Sequence, residues 1–191
     1  MTYDPTRHHR RSIRLPAYDY AQAAAYFVTI VCRDRELLLV DPRLREVVEE
    51  TWLWLGDRYE FVELDEHVVV PNHLHGIIVI NDTCRGGSRA APTRATNRKP
   101  LGQLVGAFKT VSTKRINKIC GTLGQPVWQR NYYEHVIRDG EELNDIRQYI
   151  VDNPLRWAED RENPTNLGEP NVGAHGRAPL QHPDGLTCLM P

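Results

Sequence analysis

Apolar residues along this chain fall into two rhythms, and the switches between them mark out the elements. Tyr26-Phe27-Val28-Thr29-Ile30-Val31-Cys32 is β-branched and aromatic and reads as a first strand, closed by the charged Arg33-Asp34-Arg35-Glu36. Asp41-Pro42 then carries the signature of a helix start, with Asp41 as N-cap and Pro42 at the first helical position. Leu44, Val47, Val48, Thr51, Trp52 and Leu55 follow at helical spacing and form one apolar face. Residues 62–70 predict a second strand, joined through a Pro71-Asn72 turn to a third strand that begins His73-Leu74-His75 and continues through Ile80. Leu101, Leu104, Val105, Phe108 and Val111 mark a second amphipathic helix. A fourth strand is expected over 127–137, with Tyr132, Glu134 and Val136 on one face and Tyr133, His135 and Ile137 on the other. Leu143, Ile146 and Ile150 define a third helix, expected to close near Asn153 because Pro154 disfavours helical geometry before it.

The order β-α-β-β-α-β plus one helix predicts an α+β, ferredoxin-like antiparallel sheet with an additional C-terminal helix. With 191 residues, 40% hydrophobic and 26% charged, the chain has the composition of a globular protein with one full core. The expected organisation is a basic arm over 1–22, one domain over 23–160 containing a mobile loop at 81–100, and a disordered Pro/Gly-rich tail over 161–191. No apolar run is long enough for a membrane span, and the basic N-terminus lacks the apolar segment of a secretory signal. Cys32, Cys84, Cys120 and Cys188 have no Cys-x-x-Cys spacing, so free thiols and a cytoplasmic location are expected.

The net charge of −1 hides a segregation that changes the picture. Nine basic residues and no acid lie between Thr83 and Lys118: Arg85, Arg89, Arg94, Arg98, Lys99, Lys109, Lys114, Arg115 and Lys118. Arg7, Arg10, Arg11 and Arg14 form a second cluster. A basic stripe on a near-neutral chain predicts a polyanionic partner, in preference to a merely solvated face, which would mix signs.

Two features carry candidate chemistry. On a strand, His73 and His75 point to the same face with Cβ atoms about 6–7 Å apart, a spacing that lets both imidazoles reach one divalent metal. The alternative, hydrogen-bonded core histidines, stays open on spacing alone. On the third helix, Tyr149 and Asn153 are stacked at i, i+4. A phenol with a pKa near 10 is only about 0.1% ionised at pH 7, so a nucleophilic tyrosine must offset about 4 kcal/mol, which a nearby cation can supply. A surface tyrosine and a helix C-cap asparagine fit the same spacing. Tyr132 and Tyr133 are rival nucleophiles that point in opposite directions, and neither has a polar residue four positions on.

Residues 24–160 resemble the REP-associated tyrosine transposases, a branch of the single-tyrosine HUH transposases that includes the insertion-sequence-200-like enzymes. The resemblance rests on Tyr26-Phe27-Val28-Thr29, Val70-Pro71-Asn72-His73-Leu74-His75, Val127-Trp128-Gln129-Arg130, Tyr133-Glu134-His135-Val136-Ile137-Arg138 and Tyr149-Ile150-Val151-Asp152-Asn153-Pro154. It implies that His73, His75 and Asn153 hold Mg²⁺ or Mn²⁺ and that Tyr149 is the nucleophile. It also implies cleavage and transfer of single-stranded DNA at hairpins or repeats through a 5′-phosphotyrosine intermediate, by a monomer or a homodimer. The long basic loop and the tail depart from the compact members of the family. Two other readings remain: a non-catalytic hairpin-binding protein, and an RNA-binding ferredoxin-like module that would use aromatics on an exposed sheet face.

Overall fold

The strand β1 (Ala24–Val31) is central, paired on one side with β3 (His73–Ile80) and on the other with β4 (Tyr133–Ile137). Adding β2 (Val62–Val70) outside β3 gives the order β2-β3-β1-β4, with every pairing antiparallel. This is a computed structural model, and it describes residues 15, 17–82, 98–159, 163 and 166, with the backbone of 180–181 and 187–188. The expected ferredoxin-like arrangement is the one observed. The arm before residue 15, most of the loop (83–97) and most of the tail lie outside the described residues. The expected arm nevertheless ends earlier than residue 22. Tyr18 and Tyr20 pack edge-on to each other at 4.9 Å and lie against Tyr26, and Tyr20 O accepts from Leu101 N.

Alternation on the strands separates two apolar layers. Tyr26, Val28 and Ile30 of β1 and Leu74 and Ile78 of β3 face the larger core, beneath α1 (Pro42–Arg58) and α2 (Leu101–Cys120). Helix α1 starts as expected, with Asp41 Oδ1 accepting from Arg43 N at 2.9 Å, and it buries all six residues of the sequence-defined face. Helix α2 drifts from its expected face after Phe108. Ser112, not Val111, is fully buried, its hydroxyl donating to Phe108 O and accepting from Trp128 Nε1 at 2.8 Å. Gly121, at φ 68°, ends α2 in the left-handed region.

Phe27, Ile77 and Ile137 face the other way and meet Ile150 of α3 (Gly140–Glu159). Helix α3 therefore covers the sheet face opposite α1 and α2. Two expectations are corrected. The fourth strand is only Tyr133–Ile137, because the chain before it touches β1's end through a single bridge, Cys32–Trp128. Lys109 Nζ gathers the carbonyls of Gln129 and Asn131 at 2.8 and 2.9 Å, which turns those groups away from any ladder. Helix α3 does not stop at Asn153 but runs through Pro154 to Glu159. Proline removes one backbone hydrogen bond. The turns on either side of it are held by Ile150 and Asn153, both buried, and by Trp157, seated 6.0 Å from His73. Beyond it, Asn163 and Asn166 side chains donate to the carbonyls of Trp157 and Ala158 at 3.1 and 2.6 Å, capping the helix end.

Candidate metal and nucleophile site

Register fixes the site. His75 pairs with Thr29 and His73 with Val31, so both imidazoles rise from the face that α3 covers. The Thr29 Oγ1 to His75 Nδ1 distance is 2.9 Å, and His73 Nδ1 lies 2.5 Å from Asn72 Oδ1. An amide oxygen only accepts, so His73 Nδ1 is the donor in that contact and His73 Nε2 is the atom turned toward His75. The two Nε2 atoms are 2.9 Å apart. That spacing suits a shared proton or one cation ligated by both rings. Burial, with His73 beside it, holds His75 down at about 3, so this imidazole is neutral, the form that ligates metals.

Asn153 provides an independent observation. The residue is 6% exposed, and its Oδ1 is buried with no hydrogen-bond partner. An orphaned acceptor costs about 1–3 kcal/mol, a cost that a cation ligated there would remove. Two nitrogens and one oxygen suit a divalent ion, and cis ligands of an octahedral ion at 2.0–2.1 Å stand about 3 Å apart, close to the histidine spacing. The residues fit the metal that the resemblance implies. Among the described residues no cluster of three His, Cys, Asp or Glu side chains gathers, so the third protein ligand would be this amide.

Tyr149 lies one turn before Asn153. Its hydroxyl is 3.4 Å from His75 Nε2, and its ring meets His75 at 5.3 Å and Phe27 at 5.9 Å, edge-on to both. His73, His75, Tyr149 and Asn153 line a cavity of about 390 Å³ together with Thr29, Val31, Arg35, Arg156 and Trp157. The four predicted site residues are thus brought together. Tyr133 shares their face but is half exposed beside Phe27, and Tyr132 points into the opposite layer near Lys109. His135 is engaged by Glu142 at 2.6 Å.

Sequence pattern alone leaves Thr29, Arg35, Arg156 and Trp157 unmarked. Thr29 could be found from the alternation of β1 once the histidines are placed. Arg156 and Trp157 are hidden by ending α3 at Asn153, since Tyr149, Asn153 and Arg156 recur at i, i+4 and i+7.

Among the described residues, no member of the basic stripe lines the cavity. Arg85, Arg89 and Arg94 lie outside the described residues. Arg98 pairs with Asp82 at 2.7 Å, and Arg115 binds Glu50 and Thr51. Lys109 is half-buried over its carbonyls, and burial pushes it down to about 8. Lys99, Lys114 and Lys118 are exposed, the last two on α2, across the sheet from the histidines. The sheet face that an RNA-binding module would expose is covered by α3. Among the described residues no helix is long and apolar enough to cross a membrane.

No protein-family model matches the chain. An uncharacterized protein of Haemophilus influenzae is 35% identical over 175 residues, covering 83% of this chain and 96% of that one. A second H. influenzae protein, named "Putative REP-associated tyrosine transposase", is 23% identical over 146 residues, 72% of this chain and 74% of its own. Among solved structures, a REP-associated tyrosine transposase bound to a REP hairpin has the same fold, with a TM-score of 0.50 at 18% identity over 77% of this chain and 74% of that one.

Proposed function

The chain belongs to one family with the H. influenzae protein that it matches at 35% identity over 83% of its own length, and it is similar to the REP-associated tyrosine transposases in sequence and in fold; from that premise we propose that it cuts and transfers single-stranded DNA through Tyr149. The observation that carries the proposal is the Tyr149 hydroxyl, 3.4 Å from His75 Nε2 in an open cavity that is also lined by Asn153, the residue with the orphaned Oδ1. His73, His75 and Asn153 would hold a divalent cation, which when bound polarises the phosphoryl oxygens of the DNA. Tyr149 Oη forms a bond to phosphorus, the bond from phosphorus to the 3′ oxygen breaks, the phenol loses its proton and the 3′ oxygen gains one. One phosphodiester replaces another, so the released 3′ hydroxyl can attack back and rejoin or transfer the strand. Asn72 and Thr29 orient the imidazoles from behind, as outer hydrogen bonds do for histidine ligands.

A DNA hairpin is the proposed substrate, by likeness to the solved transposase, which is bound to one. Lys99, Lys114 and Lys118, which do not line the cavity, are proposed to bear on DNA together with Arg85, Arg89 and Arg94. The test is cleavage of single-stranded hairpins drawn from the DNA around the gene, with Mg²⁺ or Mn²⁺ and then with EDTA. Cleavage that stops in EDTA and returns with metal supports the reading. Binding with no cleavage of any such hairpin would favour the non-catalytic alternative.

A further inference from the structure

Arg156 is a charged cavity residue that the reaction above leaves without a role. Its guanidinium carbon sits 5.2 Å over the Tyr149 ring, on the mouth of the cavity that holds both histidines and Asn153. It is exposed, and among the described residues no carboxylate pairs with it. Other arginines differ: Arg147, on the same helix, is bound by Asp65, and elsewhere in the fold Arg115 is bound by Glu50 and Arg98 by Asp82. Its position is set by the unbroken passage of α3 through Pro154, with Trp157 held beside His73 and the helix end capped by Asn163 and Asn166. Arg35 lines the same cavity from the turn that follows β1.

Resting on the function proposed above, we propose that Arg156 is a catalytic residue that grips the non-bridging oxygens of the scissile phosphodiester and holds the phosphorus against Tyr149. A guanidinium is planar and always charged, and its parallel N–H groups match two phosphate oxygens. Held over the phenol ring, the guanidinium lines the same cavity as the attacking residue. The phosphodiester carries one negative charge in the ground state, and charge on its oxygens redistributes as the new bond forms. A fixed donor aimed there acts on the rate more than on affinity.

The experiment compares wild type, Arg156→Gln and Arg156→Lys on a hairpin oligonucleotide with a normal phosphate or an uncharged methylphosphonate at the cut site. Covalent adduct is measured in single turnovers at saturating DNA with Mn²⁺. Arg156→Gln is expected to slow adduct formation on the phosphate about 100-fold, the scale for loss of one such donor, and Arg156→Lys to recover part of it. On the methylphosphonate, which lacks the charge that Arg156 answers, wild type and Arg156→Gln should differ by no more than a few-fold. Binding is read separately in a Tyr149→Phe background, where removing the phosphate charge should weaken affinity more while Arg156 is present than in Arg156→Gln. Thermal midpoints should match, since the side chain is exposed. Equal rates on phosphate, or the same ratio on both substrates, would overturn the role of Arg156 and leave the Tyr149 reaction standing. Absence of adduct in wild type, on a hairpin it binds, would overturn the reaction itself and this role with it.

Discussion

Arg147 and Asp65 form a two-pronged ion pair between α3 and β2, Nε to Oδ1 at 2.8 Å and Nη2 to Oδ2 at 2.5 Å. Asp65 is available for it because the β2–β3 register shifts between Leu64 and His67, which takes Asp65 out of the ladder. The pair matters because the apolar seat of α3 is small: Ile150 is the one apolar side chain that the helix fully buries. Arg147 stands two residues before Tyr149, so the pair fixes where along the sheet the nucleophile lies.

Hydrogen bonding to Arg147, opposed by partial burial, holds the Asp65 carboxyl below the usual carboxylate range. Its contribution is therefore complete above the unfolded value of about 3.9 and is lost as pH falls through the lower folded value. Below about pH 4, amide exchange in α3 should rise ahead of exchange in β1 and β3. Asp65→Asn should show that raised exchange at neutral pH, and pairing it with Arg147→Gln should add little more. If Asp65→Asn left α3 as protected as in wild type, the ion pair would not be what seats the helix.

Gly76, directly after His75, is required by a tryptophan. A Cβ built at this position would lie 2.4 Å from Trp52 Cζ2, inside the buried indole. Gly76→Ala should destabilise the fold by about 1–3 kcal/mol or more, the usual range for overpacking, read as a lower urea midpoint. Trp52→Phe should recover part of the loss in the double variant. An unchanged midpoint for Gly76→Ala would mean that the indole has room to move aside.

The three proposed metal ligands should separate in their effects on stability. His75 is 5% exposed, stacked on Phe27 at 5.4 Å and bonded to Thr29, so His75→Ala should lower the thermal midpoint even without metal. His73 lies nearer the surface, and His73→Ala should lower it less. Asn153→Ala removes an unpartnered buried acceptor, so the metal-free protein should be no less stable than wild type. Saturating Mn²⁺ at 100 times its dissociation constant should stabilise wild type by about 2.7 kcal/mol and each variant less. An equal Mn²⁺-induced rise in His73→Ala, His75→Ala and wild type would remove the metal from this site.

The sequence made the architecture readable where apolar spacing is strict. All six residues of the α1 face and the partition of β4 into Tyr133, His135 and Ile137 against Val136 are as the periodicities require. It misled where one polar contact outweighs pattern. Ser112 enters the core because Trp128 donates to it, and residues 129–131 leave the sheet because Lys109 collects their carbonyls. The site was legible through two short spacings, His73/His75 and Tyr149/Asn153, since each depends only on local geometry. Arg156 was not, because a proline in a helix reads as a stop until the packing of Trp157 beyond it is known.

The central claim is that Tyr149 becomes covalently joined to DNA, and one measurement tests it most directly. A single-stranded hairpin labelled at its 3′ end is incubated with the protein and Mn²⁺, and the products are separated under denaturing conditions. Attack by Tyr149 with the 3′ oxygen as leaving group leaves the protein on the 5′ phosphate, so the label should migrate with the protein. Tyr149→Phe should bind the same hairpin and yield no labelled protein, since only a hydroxyl is missing. Labelled protein persisting in Tyr149→Phe would give the role to another nucleophile, with Tyr133 first to examine. Cleavage by wild type without any adduct would make the protein a hydrolytic nuclease and contradict the account.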